Sequence, residues 1–277
     1  MGWNGSDFIP FLHILKKQMS KLKIEWYTTT FNEEVQLPFA IEYWKRFIQD
    51  DVDFHVNVFD NFSTDNTVNI LSQYPWITIF KFDTKGQMDE EALTYIRNNC
   101  WINSDADWVM MTDLDEVFYS KDIITELKAM KEQGIGAVAC KWYALTGDNV
   151  PEHKDGVLLH QQIGRGYQQF INHRDGFKQY GKIQLFNPKL AKRMNYSMGM
   201  HYAFPGCPIV FNPNIYQFHF DKGFGADYKV KKRRELWDRL KPTLRQRGVC
   251  EEYGWTEEKI RKDYQDCIDK SVDISGI

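Results

Sequence analysis

No apolar run in the 277-residue chain approaches the roughly 20 residues that span a bilayer. The basic-then-apolar order of a signal peptide is also missing from Met1-Gly2-Trp3-Asn4-Gly5-Ser6. These two absences set the expected location as cytoplasmic, extending at most to the inner face of the membrane. The five cysteines, Cys100, Cys140, Cys207, Cys250 and Cys267, include no Cys-x-x-Cys pair. That argues against a zinc ribbon or a disulfide framework and for a reducing compartment. A net charge of −3 supplies no global field towards nucleic acid, so no nucleic-acid partner is expected. Internal repeats and low-complexity tracts are absent as well.

What remains is the composition of a folded protein, 43% hydrophobic and 26% charged, with aromatics at 15% available for a core or for stacking on sugars. Asp7 to Lys23 mixes Phe8, Ile9, Phe11, Leu12, Ile14 and Leu15 with four lysines. It reads as a helix that packs on the body, with peripheral membrane contact as the second reading. Lys23 to Thr30 is rich in aromatic and β-branched residues and predicts a first strand. Asn32 follows as an expected N-cap, and Leu37, Phe39, Ala40, Tyr43 and Trp44 recur at helical spacing. Phe54–Phe59 and Trp76–Phe80 predict further strands, and Met88–Asn98 and Lys121–Gln133 further helices, the last capped by Asp122 and ended at Gly134. Ala137–Tyr143 is a strand again. Such alternation implies a mainly parallel sheet with helices on both faces. Thr146 to Gly181 predicts a long polar loop, Lys182–Phe186 a strand, and Asn214–Phe220 a late strand carrying His219. Asp227 to Arg247 reads as one basic helix, either a solvated face or a seat for the diphosphate of a lipid-linked acceptor.

The stretch with chemistry in it is Trp108-Val109-Met110-Met111-Thr112-Asp113-Leu114-Asp115-Glu116. A short apolar run predicts a buried central strand, and three acids follow at its carboxyl end, where open α/β sheets bind ligands. On an extended backbone Asp113 and Asp115 point the same way. Two carboxylates so placed invite a hard divalent cation, which retains open positions for a diphosphate. The bland alternative, a loop acid capping the next helix, is already filled by Asp122.

Three pieces now stand in order: Thr29-Thr30-Phe31-Asn32-Glu33-Glu34, Asp60-Asn61-Phe62-Ser63-Thr64-Asp65-Asn66-Thr67, and Asp105-Ala106-Asp107-Trp108 leading into Asp113-Leu114-Asp115-Glu116. Later come Lys182-Ile183-Gln184-Leu185-Phe186-Asn187-Pro188, Asn195-Tyr196-Ser197-Met198-Gly199-Met200-His201 and Phe218-His219-Phe220. With these pieces the chain resembles the bacterial family-2-like glycosyltransferases of the GT-A type, over roughly residues 23 to 222. Asn61 and Phe62 depart from the usual Asp and Gly. The resemblance implies an α/β GT-A domain over residues 23–222, between helical extensions at 1–22 and 223–277. It also implies a nucleotide-sugar donor, by preference a UDP-sugar, and Mn²⁺ or Mg²⁺. The acceptor would be a hydroxyl of a glycan or lipid-linked saccharide. Thr29, Phe31, Asn32 and Glu34 would lie against the nucleoside with Asn61, Asp113 and Leu114, and Asp60 would contact the base. The metal set would be Asp113, Asp115 and His219. Lys182, His201 and Lys222 would reach acceptor or diphosphate.

The chemistry expected is displacement of a nucleoside diphosphate from an anomeric carbon through an oxocarbenium-like transition state. Asp115 is expected to act through the metal. For inversion a carboxylate base must reach the acceptor hydroxyl. Glu116 adjoins the metal motif but points away from it on an extended strand. Asp148, Glu152, Asp155 and Asp175 in the acidic loop stay open as alternatives. Two other functions compete. A nucleotidyltransferase acting on sugar phosphates would need a glycine-rich basic loop, and Thr28 to Glu34 holds no Gly, Lys or Arg. An inactive sugar-binding module would not need Asp113, Asp115 and His219 together.

Overall fold

The computed structural model describes residues 20–172 and 178–277. The N-terminal helix expected over Asp7 to Lys23 lies outside the described residues up to position 19, and Leu22 and Lys23 already belong to a strand. That strand is β1 (Leu22–Thr30), followed by α1 (Leu37–Lys45), β2 (Val52–Asp60), α2 (Thr67–Leu71), β3 (Ile77–Lys81) and α3 (Glu90–Asn99). Then come β4 (Trp108–Asp113), β5 (Glu116–Tyr119), α4 (Ile123–Glu132), β6 (Ala137–Thr146) and α5 (Leu159–Ile163). A hairpin of β7 (Arg165–Asn172) and β8 (Lys178–Tyr180) leads to β9 (Leu185–Phe186), α6 (Pro188–Ala191) and the long β10 (Ile209–Lys222). The chain closes with α7 (Ala226–Arg239), α8 (Pro242–Gln246), α9 (Glu257–Asp269) and β11 (Val272–Asp273).

The main sheet runs β11-β7-β6-β9-β4-β1-β2-β3. Strands β4, β1, β2 and β3 are parallel neighbours, and β9 pairs antiparallel between β4 and β6. Strand β10 lies parallel to β6 and antiparallel to β5. Both faces are covered, which explains the unbroken apolar run of β4. Trp108 and Met110 enter the core beneath α1 and α4, while Val109 and Met111 enter a second core with Trp101, Phe186 and Tyr196. Trp26 centres the first core, its ring 5.7–6.1 Å from Trp44, Phe47 and Phe118, with its indole N–H donating to Thr112 Oγ1 at 2.8 Å. Burying that N–H costs little because it is paired.

Local chemistry accounts for most element ends. Asp89 caps α3 by accepting from Glu91 N and Ala92 N, and Asp122 caps α4 through Thr125 N. Asn32 does not cap α1, which begins at Leu37 with Gln36 before it. Its φ of 51° is left-handed, and its side chain organises the Ser63–Asp65 turn by accepting from Thr64 N at 2.7 Å. The long loop expected over Thr146 to Gly181 contains α5, β7 and β8. Strand β7 is legible as polar because it sits towards the sheet's edge, paired to β6 on one side and to short strands on the other. The single basic helix expected over Asp227 to Arg247 is two, α7 and α8, because Pro242 cannot continue a helix and the backbone is extended at Leu240 and Lys241. After residue 222 the chain is not helical throughout, since β11 joins the sheet beside β7. None of the five cysteines is in a disulfide.

Candidate active site

The carboxyl ends of β1, β4 and β10 open into a cavity of about 450 Å³, roofed by α7. It is lined by Thr29 and Phe31 after β1, Asn61 after β2, Asp113, Leu114 and Asp115 after β4, and His219 and Lys222 on β10. Lys182 and His201 complete that group. These sequence-predicted residues therefore converge, at the position an open α/β sheet reserves for ligands.

The two aspartates line one cavity with different partners. Strand β4 stops at Asp113, and the chain turns through Leu114 and Asp115 before β5 starts at Glu116. The period-two alternation of an extended strand is broken by that turn. Asp113 Oδ1 meets Arg97 Nη2 at 2.5 Å, and its Oδ2 lies 3.9 Å from Lys182 Nζ. Burial opposes ionisation of Asp113, but Arg97 and Lys182 outweigh it and hold the carboxyl below its usual range. Asp115 Oδ2 faces His219 Nε2 at 3.3 Å, and that imidazole, against the cost of partial burial, holds the Asp115 carboxyl below its usual range.

Two ligands each about 2.1 Å from one ion stand about 3 to 3.4 Å apart. Asp115 and His219 fit that separation. Asp113 is instead ion-paired to Arg97 at 2.5 Å. Among the described residues, nine carboxylates and seven Lys or Arg side chains line the cavity. That excess of negative charge suits a bound cation.

Beneath the turn lies a buried polar chain. Glu116 is 1% exposed and does not line the cavity; its Oε1 is 2.7 Å from Lys182 Nζ and its Oε2 accepts from Gln184 Nε2 at 2.7 Å. Gln217 donates to Gln184 in turn. Glu116 thus holds Lys182, whose ammonium pKa is raised by Glu116 and Asp113 against the cost of burial. Trp142 stacks over His219 with centroids 6.0 Å apart, and Lys182 Nζ lies 5.8 Å from the same indole. Desolvation, then the Lys182 charge, lowers the pKa of His201 to about 4.

Other sequence candidates fall outside the cavity lining. Asp60 is fully buried, ion-paired to Lys81 at 2.5 Å and accepting from Ser63 N at 3.1 Å. Glu34 accepts from Asn66 N and Asn32 braces the neighbouring turn, both supporting the loop rather than facing the space. Asp155 is remote from the cavity lining, grouped with Glu42 and His153 so that one ligand atom of each lies within 4.8 Å of the others. Asp175 is outside the described residues.

Sequence reasoning missed several lining residues. Glu33 pairs with Lys232 at 2.9 Å, and burial pushes its carboxyl up to about 7. Arg97 bridges Asp113 and Glu90, the latter at 3.0 Å. Lys229, Lys232, Arg233 and Leu236 form a stripe on α7 at spacings of three and four, and all line the cavity. That spacing was available in the sequence and separates this face from exposed Lys231 and Arg234. Arg239 ends α7 with its guanidinium 3.1 Å from the centroid of Phe31.

This sheet, with its turn of paired acids after β4, is the GT-A fold. Residues 26–194 match Glycosyl transferase family 2, and the chain belongs to that family. No curated protein matched it significantly. Among solved structures it is similar to S. aureus TarS 1–349, at 14% identity over 78% of this chain and 65% of that one, with a TM-score of 0.45. TarS in complex with UDP gives 16% identity over 82% and 74%, with a TM-score of 0.46. The mannosyltransferase PcManGT from Pyrobaculum calidifontis, in complex with GDP-Man and Mn²⁺, gives 16% over 79% and 63%, with a TM-score of 0.39. The chain therefore spans just under two thirds of the first of these proteins. Among the described residues no helix is long and apolar enough to cross a membrane.

Proposed function

We propose that this protein transfers a sugar, by preference a hexose, from a nucleoside diphosphate donor to a hydroxyl of a glycan or lipid-linked acceptor, with Mn²⁺ or Mg²⁺ bound. The observation that carries this reading is the approach of Asp115 to His219, 3.3 Å apart on the wall of a cavity at the carboxyl ends of the sheet. Uridine is the favoured base, by family resemblance.

Asp115 and His219 would hold the ion, which supplies positive charge against the departing diphosphate. Asp113, held by Arg97, would accept from a ribose hydroxyl. Phe31, backed by Arg239, offers a flat face to the base. Lys182, held by Glu116, keeps a fixed cation beside Asp113. In the reaction the acceptor oxygen bonds to the anomeric carbon. The bond from that carbon to the phosphate oxygen breaks with its electron pair on the diphosphate, and the acceptor proton leaves to a carboxylate or to solvent. With inversion this is a single displacement.

The test is thermal unfolding with Mn²⁺ and UDP, followed by a panel of nucleotide-sugars scored for metal-dependent hydrolysis. Wild type should gain stability only with both ligands present, by mass action. Asp115→Ala should lose that gain and at least 100-fold in turnover while unfolding at a similar temperature in plain buffer. A wild type indifferent to every nucleotide tried would overturn the proposal.

A further inference from the structure

Exposed apolar side chains scattered singly need no explanation, but a contiguous group of them marks a contact surface. Such a group stands where β10 begins. Phe204 is 63% exposed, and Leu190, Ile209, Val210, Phe211 and Tyr180 are each 39–44% exposed. Local contacts join them into one face. Tyr180 packs on Phe211 with ring centroids 5.1 Å apart. Phe204 N donates to Met194 O, Gly206 N donates to Ala191 O, and a methyl group on Gly136 would meet both Leu190 and Cys207. The charge of this region has one sign. Residues 176–220 contain five Lys or Arg and no Asp or Glu, in a chain whose net charge is −3. Lys182 is buried, but Lys189, Lys192 and Arg193 are exposed beside Leu190 and Phe204. Acids bordering the face have partners of their own: Asp105 is paired with Lys23, and Glu126 accepts from Asn212 and Asn214.

We propose that this face seats the protein on an anionic bilayer, with its aromatic and aliphatic side chains in the headgroup region and Lys189, Lys192 and Arg193 against lipid phosphates. Apolar and aromatic groups flanked by Lys and Arg are the composition of an interfacial contact. A second copy of the chain fits this face less well, because a two-fold contact would bring the same cations together. The face meets the cavity at two points. Gln169 and His201 line the cavity, and their neighbours in sequence, Phe170 and Tyr202, are exposed. Phe170 joins the face through Tyr180, ring centroids 5.3 Å apart. A membrane on this face would therefore lie beside the cavity, within reach of the saccharide of a lipid-linked acceptor. That last step rests on the transfer reading proposed above, and the docking itself does not.

The experiment is co-sedimentation of the full chain with vesicles of phosphatidylcholine alone and of phosphatidylcholine mixed with phosphatidylglycerol. Wild type should bind the mixed vesicles roughly tenfold more tightly than the neutral ones, and high salt should erase the difference. Lys192→Gln with Arg193→Gln should remove the preference for the anionic vesicles. Phe204→Ser with Phe211→Ser should weaken binding to the mixed vesicles roughly tenfold. Both pairs alter exposed side chains, so each variant should unfold at the wild-type temperature and keep the wild-type gain with Mn²⁺ and UDP. Wild type that ignores both kinds of vesicle, or variants that bind them as wild type does, would overturn the docking. So would a dimer in solution that Phe204→Ser with Phe211→Ser turns into a monomer, because the face would then belong to a second copy. Vesicle binding with the expected response to both variants, but no effect of any nucleotide, would support the docking and overturn the transfer reading instead.

Discussion

Arg97 is the residue that holds Asp113, the first acid of the turn after β4. It is 3% exposed and holds Asp113 at 2.5 Å and Glu90 at 3.0 Å. Glu90 also accepts from Gly199 N, so the same node ties α3 to the segment that carries His201. Removing the cation leaves Glu90 without its ion pair and Asp113 with Lys182 alone, 3.9 Å away. Arg97→Met should cost about 3–5 kcal/mol of stability, measured as a fall in the urea midpoint. An unchanged midpoint would mean that solvent already screens this node. At this scale the sequence was informative where chemistry is local. Asp113, Asp115 and His219 stood out as acids and an imidazole at strand tips. Arg97 did not, because its partners lie 7 and 16 positions away and come together only when α3 packs beside β4.

The elements meet the cavity through tight crossings. Where β6 ends and β10 ends, Gly147 N donates to Lys222 O at 2.8 Å, and Tyr264 on α9 donates to the carbonyls of both residues. A methyl group on Gly147 would overlap the carbonyl oxygen of Gly223. Gly147→Ala should therefore push the two strand ends apart, cost about 1–3 kcal/mol, and weaken nucleotide binding through displaced Lys222. Chemical denaturation and calorimetry would register the two effects, and a variant as stable as wild type would show that this crossing yields easily. Most strands and helices between Leu22 and Glu132 were legible because their apolar periods are strong and Asp89 and Asp122 cap α3 and α4, while β5 was not, its four residues following β4 after a turn. The hairpin of β7 and β8 was not, since an edge position asks for few apolar residues. The split of α7 from α8 was written in Pro242, yet the basic run around it suggested one helix.

For the molecule as a whole, one buried imidazole sets a pH response. His160 is fully buried between Tyr119 and Phe218, ring centroids 4.4 and 4.5 Å away. Tyr43 Oη accepts from His160 N at 3.1 Å and shares a hydrogen bond with Nδ1 at 2.8 Å. Burial, then the Arg46 charge, lowers its pKa to about 3, against about 6.5 in the unfolded chain. The unfolded state therefore takes up a proton first as pH falls. Above pH 6.5 this group leaves stability flat; from there down to about pH 3 it removes about 1.4 kcal/mol per pH unit. Unfolding in urea at pH 7 and pH 5 should show that His160→Asn loses less on acidification than wild type. Equal losses would assign the acid sensitivity elsewhere. Fold class was readable from alternation alone, because β4 and its neighbours need apolar side chains on both faces. The C-terminal contribution to the site was not, since nothing local announces that β11 rejoins the sheet or that α7 roofs the cavity.

Lys232 reaches the carbonyl of Asn32 across 200 positions of chain. Joining such distant segments is entropically expensive and late in folding. A copy whose α7 had not yet docked would have the floor of the cavity without its roof. Closure of the cavity is thereby tied to a contact that no local stretch of sequence can make by itself.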